Sequence, residues 1–244
     1  MKIGVVGSGL MARGILRLLV SKNQDATLIN PRFSTGFDLQ AFSNLDLVIE
    51  CVVENFETKV EVIRKIRLMN PNAIIGTSTS SLGITQIQQH LNFDSKFLGI
   101  HFMNPPSQIR SVELVKGHST QPETVDFVSQ WITDLGQLAV LVEDKPGFVV
   151  NALLFAMLNR AALLLEESEM SAVELDNLIC LSLGHKIGPY RTMDLIGIDT
   201  CKVILQNLYL QDSTRNFKPA NIFDQLLENG KLGRKTKSGF LDYN

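Results

Sequence analysis

His101 lies in the stretch Gly99-Ile100-His101-Phe102-Met103-Asn104-Pro105, and Glu113 follows in Ser111-Val112-Glu113-Leu114-Val115. A carboxylate beside an imidazole fixes its tautomer and raises its proton affinity, which makes a general base for a hydroxyl proton. On spacing alone the pair also reads as a surface histidine and a solvated glutamate. A second set opens the chain, Gly7-Ser8-Gly9-Leu10-Met11-Ala12-Arg13-Gly14. This is the G-x-G-x-x-G/A dinucleotide fingerprint: Gly7 makes the tight turn, Gly9 lets a pyrophosphate approach the backbone, and Ala12 lets the helix pack closely. The helix N-terminus, with Leu10 and Met11 on the cofactor side, then receives phosphate charge.

The elements around these residues repeat strand and helix in alternation. Met1–Val6 is a buried-strand pattern that feeds the glycines, and Ile15–Val20 continues as an apolar helix. Ala26–Asn30 and Asp46–Val53 read as the second and third strands; Glu54–Lys59 opens a helix running to about Met69; Ala73–Ser78 is a fourth strand. Leu98–Phe102 and Val112–Val115 are two strands joined by a loop through Pro105-Pro106, so His101 and Glu113 can face each other. A helix over Pro122–Leu135 and a strand over Leu138–Val142 complete this half. Such a pattern predicts a Rossmann-type, doubly wound parallel sheet whose ligands gather at the strand carboxyl ends, where Glu54 and Ser80 both fall. Thr79-Ser80-Ser81-Leu82 reads as the cap of the next helix, and Ser80 reads equally as an N-cap and as a substrate contact.

After Asp144-Lys145-Pro146-Gly147 the period changes. Phe148–Glu167 is apolar nearly all round, Ser171-x-x-Glu174 is a capping box, and helical patterns run on through Asn229. The chain is therefore expected to divide into a dinucleotide-binding domain over 1–145 and a smaller all-helical domain over 146–244.

Composition narrows the function classes. With 244 residues, 45% hydrophobic and 20% charged, the chain can bury a substantial core, and a net charge of -2 gives no reason to expect nucleic acid as a partner. No apolar run is long enough to span a bilayer, and Met1-Lys2-Ile3-Gly4 already reads as fold rather than leader, so no membrane partner is expected. Cys51, Cys180 and Cys201 are isolated, which points to a reducing cytoplasm. The four histidines have no partners at ligand spacing, so no metal site is suggested. At the end of the second strand, where an acidic residue would bind the ribose 2′-hydroxyl of NAD, stand Asn30, Pro31 and Arg32. Asn30 does not repel a 2′-phosphate and Arg32 could pair with one, so NAD is the first expectation and NADP the alternative.

Several motifs together resemble the 3-hydroxyacyl-CoA dehydrogenase family, in its short 3-hydroxybutyryl-CoA dehydrogenase-like form. They are Gly7–Ile15; Val53-Glu54-Asn55 with Lys59; Ser78–Leu82; His101-Phe102-Met103-Asn104-Pro105; Val112-Glu113; Pro146–Asn151; Gly184–Pro189 with Asp194 and Gly197; and Gly233–Thr236 through Gly239-Phe240. The resemblance implies that His101 is the base and Glu113 its orienting partner. It makes Ser80 and Asn151 hydrogen-bonding groups on the substrate, and Glu54, Lys59 and Asn104 neighbours of the nicotinamide half of the cofactor. The implied reaction interconverts a 3-hydroxyacyl thioester and its 3-ketoacyl form, in a homodimer.

The sequence departs from that family at three places: Ala12 stands for glycine, Asn30 for aspartate, and a long helical hairpin between the second and third strands is missing. That hairpin holds much of the coenzyme A in the family, whereas here Pro31–Leu45 alone fills the gap. Acyl carriers other than coenzyme A, a free 3-hydroxy acid substrate, and a non-catalytic nucleotide-binding role remain as alternatives.

Overall fold

A computed structural model of the chain describes residues 1–30, 42–92, 94–213 and 216–243. It divides into two compact units, Met1–Phe148 and Val149–Asn244.

In chain order the first unit contains β1 (Lys2–Val6), α1 (Leu10–Ser21), β2 (Asp25–Ile29), β3 (Leu47–Glu50), α2 (Phe56–Met69), β4 (Ile74–Thr77), α3 (Ile84–His90), β5 (Phe97–Phe102), β6 (Ser111–Lys116), α4 (Pro122–Asp134) and β7 (Leu138–Val142). The described strands form one sheet in the order β2-β1-β3-β4-β5-β6-β7. All neighbours are parallel except β5 and β6. The inner strands β1, β3 and β5 are apolar along nearly their whole length because both faces are covered. One covering layer packs Ala12, Ile15 and Leu19 of α1 and Val128, Trp131 and Ile132 of α4 onto Ile3, Val5, Ile49 and Ile100. The other packs Val60, Ile63 and Ile66 of α2 and Ile84 and Ile87 of α3 onto Val48, Ile75 and Val115. The sheet is thus doubly wound, and its strand order reverses between β1 and β3, which is where such sheets take their ligands.

Several boundaries are tighter than the sequence suggests. β3 stops at Glu50, so Cys51–Glu54 form a link, and α2 begins at Phe56 with Asn55 as its cap: the Asn55 side chain accepts from the Thr58 N–H. The expected capping role of Thr79–Leu82 does not hold. The N-cap of α3 is Gly83, which has no side chain to offer, and the first N–H groups of the helix, on Ile84 and Thr85, donate to the Asp144 carboxylate at 2.9 and 2.7 Å.

The second unit contains α5 (Val150–Glu166), α6 (Ala172–Leu183), α7 (Pro189–Ile196), α8 (Ile198–Gln211) and α9 (Ile222–Glu228), and a 3-10 turn over Arg234–Thr236. Phe155, Leu158, Tyr190, Met193, Leu205 and Phe223 are the large members of its core. The Ser171–Glu174 capping box opens α6, and Gly184, at φ 69°, closes it. Asp194 accepts from the backbone of Phe240 and Leu241 and from the Tyr243 hydroxyl, which fastens the C-terminal segment to α7. Gly233 and Gly239 let that segment close: a Cβ on either would fall within 2.4 Å of Asp194. Among the described residues no helix is long and apolar enough to cross a membrane.

Candidate active site

Gly7 takes φ 148°, and a Cβ there would stand 2.5 Å from the Cys51 carbonyl oxygen, so only glycine lets the end of β1 pass the end of β3. Gly9 is different. Among the described residues a Cβ on it would meet no atom within 4 Å, so their packing does not require glycine there. Gly9 is also the N-cap of α1 and has no side-chain cap, and the first turn carries no acidic residue. Orphan N–H groups in a first turn without a carboxylate suit the pyrophosphate of a dinucleotide. Leu10 is exposed and Met11 half-buried at this end, and the Arg13 side chain folds back so that Nε donates to the Ser8 carbonyl at 3.0 Å. Asn30 follows β2 and is exposed, close to the glycine turn through the Gly7 N–H bond to the Ile29 carbonyl. Arg32 lies outside the described residues.

On β5 and β6 the register places His101 directly opposite Glu113. Residues so paired put their Cβ atoms about 5 Å apart on one face. The side chains accordingly meet, with His101 Nδ1 2.8 Å from Glu113 Oε2, both groups buried. The imidazole also packs edgewise on Phe148, with ring centroids 5.7 Å apart. Phe148 is itself buried and held at φ 53°, an unusual backbone conformation for a bulky residue, where its N–H donates to the Lys145 carbonyl. The loop after β5 contains exposed Asn104, joined to Pro105 by a cis peptide bond, and buried Pro106. Pro106 rests on Gly14 of α1, where a Cβ would come within 3.0 Å of it, so the loop after the histidine strand is seated on the helix that follows the glycine turn.

Between these two ends of the site lies a charged network. Glu54 Oε1 accepts from the Thr79 hydroxyl at 2.6 Å, from the Ser80 and Ser81 N–H groups at 2.9 and 3.0 Å, and from the Ser81 hydroxyl at 3.0 Å. The Ser80 hydroxyl lies 3.4 Å from the same oxygen. Ser80 is therefore positioned by Glu54 rather than by a helix. Lys59, 1% exposed, points its ammonium at Glu50, at the Val52 carbonyl and at Glu54 Oε2. Burial works to raise the Glu54 pKa, but the Lys59 charge and the hydrogen bonds from 79–81 outweigh it and hold it below the ordinary value. Burial likewise works against a charged Lys59, and Glu50 and Glu54 together overcome it, so its pKa is raised. The neighbouring Cys51 thiol is pushed up to about 12, first by burial and then by the Glu50 charge. The sequence singled out Glu54, Lys59 and Ser80 separately; it missed Glu50, Phe148 and the seat of Pro106 on Gly14. A glutamate inside the apolar run Leu47-Val48-Ile49-Glu50 was the available signal, because a carboxylate buried on a sheet needs a cation. Asn151 lies in the second unit, buried in the first turn of α5.

A doubly wound sheet with a glycine turn at its switch point and a carboxylate-held imidazole farther along its carboxyl edge defines a dinucleotide-dependent dehydrogenase. Comparison with known proteins names the family. The chain matches the 3-hydroxyacyl-CoA dehydrogenase NAD binding domain over residues 30–145 and the 3-hydroxyacyl-CoA dehydrogenase C-terminal domain over residues 147–243. It is 32% identical to 3-hydroxybutyryl-CoA dehydrogenase of Bradyrhizobium diazoefficiens, with 97% of this chain and 80% of the relative covered. It is 30% identical to 3-hydroxybutyryl-CoA dehydrogenase of Clostridioides difficile over 280 aligned positions, with both chains covered completely. The crystal structure of (S)-3-hydroxybutyryl-CoA dehydrogenase PaaH1 from Ralstonia eutropha superimposes with a TM-score of 0.92 at 28% identity, covering 100% of this chain and 99% of the other. The chain belongs to the 3-hydroxyacyl-CoA dehydrogenase family.

Proposed function

We propose that this protein interconverts a 3-hydroxyacyl thioester and the corresponding 3-ketoacyl thioester, with a nicotinamide cofactor as hydride partner. The observation that carries the reading is the buried His101–Glu113 pair on the same carboxyl edge as the glycine turn. Glu113 accepts the Nδ1 proton of His101, which leaves Nε2 as the basic atom that takes the 3-hydroxyl proton; in the reverse direction Nε2 returns it. The carboxylate then balances the charge of the imidazolium. The nicotinamide, when bound, accepts or delivers the hydride on the same carbon. The Ser80 hydroxyl, set by Glu54, and Asn151 are the hydrogen-bonding groups for the substrate, and Glu54 and Asn104 line the nicotinamide half of the cofactor site. Lys59 serves that site from behind, because its ammonium is directed at Glu50 and Glu54.

NAD is the cofactor we favour, with NADP as the alternative that Asn30 and Arg32 leave open. The carrier is coenzyme A in the first instance, as the names of the relatives state for those proteins. We also propose a homodimer built on the second unit, because Leu178, Leu181 and Leu183 of α6 and Leu153 of α5 are each more than half exposed. The three cysteines are unpaired, in keeping with a cytoplasmic setting. The deciding experiment is a panel of 3-keto substrates, free, on coenzyme A and on acyl carrier protein, each with NADH and NADPH. Reduction of a thioester is the expected result; reduction of free acids alone, or of none, refutes the reading.

A further inference from the structure

The buried pair behind Glu54 has no part in the proton transfer, yet it sets the charge of the site. Glu50 is completely buried at the end of β3, and every group around its carboxylate is a donor: Lys59 Nζ at 3.0 and 3.2 Å, the Val52 N–H at 2.6 Å and the Thr77 hydroxyl at 2.7 Å. That donor set fits an ionised carboxylate. Lys59 is shared with Glu54, so two carboxylates are balanced by one ammonium and the cluster keeps one excess negative charge. Glu54 is the member that reaches the surface, with its side chain 28% exposed.

The sheet order says what this charge faces. The glycine turn follows β1, Glu54 follows β3, Ser80 follows β4, and His101 stands near the end of β5, with these strands adjacent in that order. A dinucleotide with its pyrophosphate at Gly9 and its reactive ring beside a substrate on His101 must cross the ends of β3 and β4, three strand spacings or about 14 Å. On that path the nicotinamide half would pass the Glu54 carboxylate. The oxidised nicotinamide ring is a cation and the reduced ring is neutral. We infer that the Glu50–Lys59–Glu54 cluster is a charge-setting device that shifts cofactor binding toward the oxidised form, with Glu50 as its buried positioning member. The inference rests on the dehydrogenase reading above.

Direct binding tests it without turnover. Dissociation constants for NAD⁺ and NADH are measured by calorimetry and by NADH fluorescence in the wild type, in Glu50→Gln and in the double variant Glu50→Gln/Lys59→Met. Glu50→Gln leaves one carboxylate against one ammonium, so the ratio Kd(NAD⁺)/Kd(NADH) should rise about tenfold. The double variant restores the excess negative charge with a buried pair replaced by neutral groups of similar size, and its ratio should return to within about threefold of wild type. Glu54→Gln makes the same charge change at the half-buried member and should shift the ratio in the same direction, which keeps the test decisive if Glu50→Gln does not fold. A purely structural role would weaken both forms of the cofactor together and leave the ratio unaltered, and that result overturns the inference alone. A wild-type chain that binds neither form, and neither form of NADP, overturns the dehydrogenase reading and the inference with it.

Discussion

His101 and Glu113 depend on each other unequally. Without the imidazole no base stands on β5, whereas an amide at 113 still accepts the Nδ1 proton but carries no charge to balance an imidazolium. His101→Gln and Glu113→Gln are both expected to lower kcat by about 10² or more, the first at least as severely, with NADH affinity nearly unchanged. Stopped-flow turnover beside fluorescence titration of the cofactor checks both halves of that statement, and a fully active His101→Gln protein would end the mechanism. The pair was legible in the sequence because two short apolar runs flank the Pro105-Pro106 break, and an antiparallel turn of that kind puts near-symmetric positions opposite each other. Glu50 in its apolar run signals that a cation is needed, but not which one. Its partner Lys59 lies on a helix across a link, and the spacing of two residues on different elements carries no periodic signal.

Among the elements, α3 is capped from a distance and not by the residues before it. Thr79, Ser80 and Ser81 have the composition of a cap, but the Glu54 carboxylate, from another strand end, takes their donors, and Asp144 supplies the helix instead. Local sequence could not weigh a remote carboxylate against a neighbouring helix. Asp144→Ala leaves the first N–H groups of α3 without their acceptor and should destabilise the first unit by about 1–2 kcal/mol, read as a lower urea midpoint with an unaltered slope. The Glu54 nest makes a pH prediction. The folded protein holds the Glu54 pKa below its ordinary value near 4.5, so the unfolded chain binds the proton more readily. Its contribution to stability is therefore complete above about pH 4.5 and is lost as pH falls through the lowered folded value. Melting curves from pH 6 downward should show wild type losing more Tm than Glu54→Gln, and parallel losses would refute the assignment.

Taken whole, the molecule is a short member of its family. Its alignment with the Clostridioides difficile relative needs 280 positions to cover both chains, more than the 244 residues present here. We propose that the shortfall lies in the link between β2 and β3. Residues 31–41 of that link lie outside the described ones, but its exit is firm: Phe42 is buried, and the Asn70 side chain donates to the Phe42 and Leu45 carbonyls. We propose that a link of this length cannot supply the pair of helices that would bury an adenine nucleotide. Contacts remote from the reacting carbon are then unavailable to position it. The pantetheine or N-acetylcysteamine thioester of a 3-keto acid should be turned over with kcat/KM within about tenfold of the coenzyme A ester. A hundredfold preference for the full ester would mean that basic residues such as Arg32 replace the hairpin. The exposed leucines of α5 and α6 predict a dimer in sedimentation at micromolar concentration, which a monomer would contradict.

The distant cap on α3 also bears on how the chain folds as it leaves the ribosome. α3 has seven residues and no cap of its own, too little for a helix to persist unaided. The carboxylate that completes it arrives 60 positions later, just past the last strand of the sheet. The middle of the first unit is therefore expected to stay unfinished through the synthesis of β5, β6, α4 and β7, and to close as Asp144 emerges. The network that sets Ser80 stands at the mouth of that same helix. Early release or truncation before residue 144 should consequently yield a species that already has its glycine turn but lacks a fixed substrate contact, and such fragments would be the ones that chaperones and proteases find first.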